Sequence, residues 1–180
     1  GYTRTSIDTI AARAGVTKRT LYAHFRSKDD LLSTVLQHYS MLAQQRLQRI
    51  SERMPADREG MIASLFDQLA DWALRTPRWA GPGFTRLVME LADLPGHPAR
   101  AIAKRAKAEM EGWVATRLKT AQVLWPRARA REIVLLMEGA MVLMVIHRDR
   151  RYIDAAAHAA QQLVAGKWSE GRSRVKVRAS

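Results

Sequence analysis

The nine residues Thr17-Lys18-Arg19-Thr20-Leu21-Tyr22-Ala23-His24-Phe25 constrain the fold of this chain more than any others. They stand one tight turn after a helix-like segment, Ser6 to Ala14, and the two together read as a helix-turn-helix. In the first segment Ile7, Ile10, Ala11 and Ala14 recur at the spacing of one helical face. Thr5 with Asp8 has the form of a capping box, the hydroxyl accepting from an amide of the first turn, and Asp8 sets a negative charge at the positive end of the helix. Gly15 ends that helix where a left-handed residue is needed. Thr17 is placed to cap the second helix, with Val16 and Leu21 as a hydrophobic staple. Leu21 and Phe25 then share the inward face, leaving Lys18, Arg19 and Tyr22 on the other. Ser27 with Asp30 opens a third helix, from about Lys28 to about Ile50.

This spacing suits reading of a DNA major groove. A recognition helix presents its N-terminal residues to base edges while the helix before it crosses the backbone. Lys18 and Arg19 can pair with guanine O6 and N7, or with phosphate. Thr17, the amides of the helix start and Lys28 can hold phosphates. Tyr22 can give its hydroxyl to a phosphate or its ring to a thymine methyl. A structural hairpin with a solvated basic face would share the helix-Gly-helix pattern, but not three successive caps ending in Tyr-x-x-Phe.

Gly1-Tyr2, Thr5-Ser6-Ile7, Ile10-Ala11, Ala14-Gly15-Val16, Thr17, Leu21-Tyr22, His24-Phe25, Ser27-Lys28 and Leu31-Leu32 closely resemble the DNA-binding domain of TetR-family transcriptional regulators. The resemblance covers about the first 32 residues. It implies an all-helical homodimer, with an N-terminal helix-turn-helix domain and a C-terminal helical domain that binds a small effector and carries the dimer interface. Position by position, Ser6, Thr17, Tyr22, His24 and Lys28 match sites that contact the DNA backbone, and Lys18 and Arg19 match sites that vary and read bases. Members of the family carry a further helix before the Gly-Tyr pair, which this chain, starting at Gly1, does not include.

Composition agrees with a polyanion partner. Thirty Lys and Arg against 17 Asp and Glu leave a formal charge of +13. Residues 1–50 hold eight basic and three acidic residues; 95–131 hold nine and two, which reads as solvated helix faces. Zero cysteines exclude disulfides and thiolate metal sites and are compatible with a reducing cytoplasm, the expected location.

The rest of the chain reads as helix after helix: about Arg58 to Arg75, Phe84 to Ala92, Ala99 to Val123, Pro126 to Arg148, and Ile153 to Ala165. Thr76-Pro77, Gly81-Pro82-Gly83 and Leu94-Pro95-Gly96-His97-Pro98 separate them. Three parts follow: 1–50, the helix-turn-helix domain with its linking helix; 51–168, the ligand-binding and dimerisation domain; and 169–180, a basic tail expected to be disordered. Ile133 to Ile146 is apolar apart from Glu138, too short for the ~20 residues of a membrane span, and reads as a buried helix with no membrane partner. One side would face its own domain and the other a partner subunit. Leu136, Gly139, Ala140 and Leu143, with Ala156, Ala160 and Leu163 of the next helix, are the expected two-fold, four-helix interface.

Trp72, Trp79, Phe84, Met89, Met110, Trp113, Met137 and Met141 lie on the helices that, by the resemblance, surround an effector pocket. Such a supply of large, adaptable apolar surface suits an apolar or aromatic molecule, with Glu90, Asp93 and His97 as candidate polar anchors. The chain has no HExxH, no Gly-rich phosphate loop and no nucleophile elbow, and its five histidines lack metal-ligand spacing. No enzyme, metal or cofactor is implied. The expected function is a regulator, in most such families a repressor, released from a palindromic double-stranded DNA operator by its effector. The alternative is a DNA-binding regulator or architectural DNA binder with no small-molecule effector.

Overall fold

Side-chain caps decide where the first helices begin. The computed structural model describes residues 1–76 and 79–166, and among these it holds eight helices and no strand. The expected tail, 169–180, and Pro77 of the Thr76-Pro77 break lie outside the described residues. The helices are α1 (Ile7–Ala14), α2 (Lys18–His24), α3 (Lys28–Arg53), α4 (Arg58–Arg75), α5 (Gly83–Glu90), α6 (Pro98–Thr120), α7 (Pro126–His147) and α8 (Arg151–Val164).

Gly15 is left-handed, at φ 67°, and its amide turns back to the carbonyls of Ala11 and Ala12. Thr17 caps α2, accepting from the Thr20 amide at 3.0 Å. Ser27 accepts from the Asp30 amide at 3.1 Å, and the Asp30 carboxylate reaches back to the Arg26 amide at 2.9 Å, a reciprocal capping pair. One expectation is corrected: α1 is capped by Ser6, not Thr5. Ser6 has the extended backbone that a cap requires and accepts from the Thr9 amide at 3.1 Å. The Thr5 hydroxyl is occupied elsewhere, donating to the Gly1 carbonyl at 2.6 Å.

The chain divides into two compact units, Gly1–Arg53 with Ala80–Met110, and Met54–Trp79 with Glu111–Ser180, so α6 contributes to both. In the first, Leu36 of α3 is buried with Phe84, Leu91, Ala99 and Ala103, and Tyr2, Leu32, Leu87, Val88 and Ile102 border the cluster. Tyr39 meets the Phe84 ring edge-on at 5.3 Å, and Gln44 donates to Glu109 at 2.8 Å. Within α1 and α2 only Ala11 is buried.

In the second unit α8 packs on both α4 and α7. Alanines make this close approach possible: Ala156 and Ala160 of α8 and Ala140 of α7 are buried alongside Ile62, Phe66, Ile133, Met137 and Ile153. Arg150 ties the start of α8 to α4, reaching Asp67 at 3.2 Å and Asp154 at 3.2 Å. α6 ends at Thr120, short of the expected Val123. Gln122 turns left-handed, at φ 55°, and the Arg58 guanidinium takes the carbonyls of Ala121 and Gln122 at 3.0 and 2.7 Å.

The seven residues expected at a dimer interface divide. Ala140, Ala156, Ala160 and Leu163 are buried inside the unit, whereas Gly139 and Leu143 are exposed and Leu136 is half-buried. The apolar stripe that α7 leaves uncovered is Leu135, Gly139, Val142 and Ile146, with Leu135 67% and Ile146 65% exposed. No helix among the described residues is long and apolar enough to cross a membrane.

Candidate nucleic-acid interface

No residue of α2 is buried. Leu21 and Phe25 turn inward and are half-buried, and Lys18, Arg19, Tyr22 and His24 are exposed, Tyr22 by 50%. The His24 ring leans on Phe25, centroids 6.5 Å apart. Among the described residues Arg19 has no ionic or hydrogen-bonding partner. The Lys18 ammonium lies 3.1 Å from Asp8 of α1, with both side chains more than half exposed. Such a surface pair contributes at most about 1 kcal/mol, so a phosphate or a guanine edge can replace it.

Ser6 and Thr17 carry a second capability. Each hydroxyl accepts a backbone amide, which leaves its own O–H to donate. The two hydroxyls lie 2.9 Å from that of Thr9 and 2.8 Å from that of Thr20, either partner able to donate, and a small rotation would turn the capping O–H to a phosphate oxygen. The caps that start α1 and α2 are thus also candidate backbone contacts.

Lys28 opens α3 with its ammonium 4.1 Å from the centroid of the Tyr2 ring, a cation–π arrangement. The Tyr2 hydroxyl donates to the Asp29 carboxylate. Burial, and then the hydrogen bond to Asp29 and its negative charge, push the Tyr2 phenol up to about 12. The same hydrogen bond, helped by His97 and Lys28 nearby, holds Asp29 below the usual carboxylate range although partial burial works against it. His97 is buried. Its Nε2 lies 3.4 Å from Asp29 Oδ1 and 3.5 Å from the Tyr2 oxygen, the two rings meet edge-on at 5.3 Å, and its Nδ1 accepts the Ala99 amide at 3.1 Å. Glu90, at the end of α5, accepts both the amide and the hydroxyl of Thr3 at 2.9 Å, and these hydrogen bonds lower its pKa.

Glu90 and His97, considered from sequence as effector anchors, are engaged within the first unit. Their polar atoms hold the segment before α1 and the start of α3. Tyr2 and Asp29 lie within the motif, but nothing in its spacing shows that a histidine in a Pro-Gly-His-Pro turn far along the chain reaches them.

The eight expected effector residues fall in both units. Phe84 packs in the core of the first, Met89 is 72% exposed and Met110 is half-buried. In the second, the rings of Trp72 and Trp79 meet edge-on at 5.7 Å, the Arg117 guanidinium lies 5.9 Å from the Trp113 ring, and Met137 and Met141 are buried. The Trp79 Nε1 and Arg117 Nε atoms are buried with no hydrogen-bond partner among the described residues.

Residues 1–35, which span α1, α2 and the start of α3, match the family model of bacterial regulatory proteins, tetR family. No curated protein matches the chain. Among solved structures, a TetR-family transcriptional regulator from Streptomyces coelicolor is similar with a TM-score of 0.82 and 24% identity, over 92% of this chain and 86% of that one. The reduced form of NemR from E. coli gives 0.81 at 18% identity, over 91% and 88%. A TetR transcriptional regulator from Legionella pneumophila gives 0.76 at 20% identity, over 91% and 88%. At these identities the likeness establishes the fold; the matched N-terminal segment carries the family. Residues 1–35 thus carry the DNA-binding segment of the tetR family of bacterial regulatory proteins, and the chain shares the all-helical fold of these TetR-family regulators.

Proposed function

We propose that this chain is a dimeric repressor, acting in the cytoplasm, that binds a palindromic operator and is released from it by a small, largely apolar or aromatic effector. The observation that carries the reading is the bare outer face of α2, with Lys18, Arg19 and Tyr22 exposed beside the capping hydroxyls of Ser6 and Thr17. Arg19 is assigned to a base edge, Lys18 to a base or phosphate, and Ser6, Thr17, Tyr22, His24 and Lys28 to the backbone. A palindrome needs two such helices about 34 to 36 Å apart, hence a two-fold dimer. The uncovered α7 stripe of Leu135, Gly139, Val142 and Ile146 supports one, with glycine allowing close helix approach. Hydroxyl-radical footprinting of a bound duplex tests this reading: protection in two patches one helical turn apart supports it, and a single patch contradicts it.

The effector reading rests on the second unit. The Trp72–Trp79 pair, Trp113, Met137 and Met141 supply apolar and aromatic surface, and two buried donors with no partner among the described residues suit a ligand that brings acceptor oxygens. Release follows if the ligand prefers the dimer geometry that does not fit DNA, and only by its differential affinity for the two states. A thermal-shift screen of lipophilic and aromatic acids, followed by operator titration, tests it. Compounds that stabilise the protein but leave DNA bound would remove the regulatory half of the proposal.

A further inference from the structure

The cluster around His97 joins Tyr2, Asp29 and the Ala99 amide into a built site apart from the α2 residues assigned to DNA. Both nitrogens of the buried His97 ring are engaged. Because Nδ1 accepts the Ala99 amide, the ring proton stands on Nε2, facing Asp29 Oδ1 and the Tyr2 oxygen. Asp29 Oδ1 also receives the Tyr2 hydroxyl. The Tyr2 ring is thus gripped at its hydroxyl and met edge-on by His97, while Glu90 ties down the neighbouring Thr3. The Lys28 ammonium rests on this immobilised ring. Lysine is a point charge on a flexible stem, so a fixed aromatic platform decides where that charge spends its time.

We propose that His97 is a positioning residue for DNA binding: through Asp29 and Tyr2 it fixes the platform that holds the Lys28 ammonium ready for a phosphate. This rests on the reading of Lys28 as a phosphate contact. Asp29 holds the Tyr2 hydroxyl and faces His97 Nε2 with the same oxygen, Oδ1, so that His97 and the ring hydroxyl share one anchor. A residue that opens α6 thereby sets the strength of an interaction made at the start of α3.

The test is the salt dependence of binding to a fixed operator duplex, measured for the wild type, Lys28→Ala, His97→Leu, His97→Gln, Tyr2→Phe and the double variant Lys28→Ala/His97→Leu. Lys28→Ala should flatten the slope of log K against log salt by about 0.9 for each phosphate that is no longer neutralised. His97→Leu should give part of that flattening, and none beyond it in the Lys28→Ala background. His97→Gln, which keeps an N–H near the Nε2 position, should restore the slope. Tyr2→Phe removes one oxygen and should reproduce the partial flattening, which keeps the test decisive if His97→Leu fails to fold. An unchanged slope in the His97→Leu and Tyr2→Phe proteins, with Lys28→Ala flattened, overturns the positioning role alone. Equal effects of His97→Leu in both backgrounds would show a merely structural role and also overturn it. An unchanged slope for Lys28→Ala would remove the phosphate reading and the proposal together.

Discussion

The Lys28 ammonium stands 4.1 Å from the centre of the Tyr2 ring, and the Tyr2 hydroxyl is in turn bonded to Asp29, the residue next to Lys28 in the chain. A cation expected at the DNA backbone is therefore held by its own neighbour through an aromatic ring. The outer face of α2 works differently: Lys18 is loosely paired with Asp8, and Arg19 is unpaired among the described residues. These two settings predict different mutant phenotypes.

Arg19→Ala should cost about 1–3 kcal/mol of operator affinity and relax base preference at one position, as removal of a guanine pairing would. Lys28→Ala should weaken every sequence alike. Competition binding against operator variants separates them; a uniform weakening for Arg19→Ala would move that residue to the backbone.

Thr17→Ala removes the α2 cap and should destabilise the chain by about 0.5–2 kcal/mol in denaturant unfolding, while Thr17→Ser should cost much less. Ser6→Ala should behave like Thr17→Ala, and Thr5→Ala, which removes only a bond to the Gly1 carbonyl, should cost less than either. The reverse order at Thr5 and Ser6 would restore Thr5 as the cap.

The Tyr2 cluster gives stability a pH dependence. A phenol raised from 10.0 to about 12 on folding contributes stability that is fully present below 10 and lost as pH rises through about 12. Asp29, held below 3.8, contributes stability present above 3.8 and lost as pH falls through its depressed value. An ultraviolet titration should therefore show a late-ionising tyrosine that Tyr2→Phe abolishes. If Tyr2→Phe instead removes a step at 10, the Tyr2–Asp29 bond is not formed in solution.

Gly139→Arg and Ala160→Arg should fail in different ways. A side chain at Gly139 meets open space, so the first variant should fold and run as a monomer in light scattering. Ala160 is fully buried, so the second places an unpaired charge in the core and should unfold the chain. An unchanged dimer with Gly139→Arg would move the interface off the α7 stripe.

The helix-turn-helix was largely legible because its determinants are local. Gly15, Thr17, Ser27 and the outward Lys18 and Arg19 act within one turn of themselves. Thr5 and Ser6 were not separable, since adjacent hydroxyls differ as caps only by which residue adopts the extended backbone. Partners of long range were not legible either. Periodicity shows that Leu36, Leu91, Ala99 and Ala103 face a core, but not that they share one, and the alanines of α8 look equally fit for an outer interface or for the inner packing they have. His97 belongs to no period at all; its role follows from a turn that brings it to Asp29.

The central claim is that the exposed face of α2 reads a specific, two-fold DNA sequence. Selection of bound duplexes from a randomised pool by the dimeric protein tests it most directly. The account predicts enrichment of a palindrome whose half-sites lie about 34 to 36 Å apart, with preference relaxed at one position of each half-site in Arg19→Ala. A pool that binds without enrichment of any palindrome would contradict it and leave only charge-driven association.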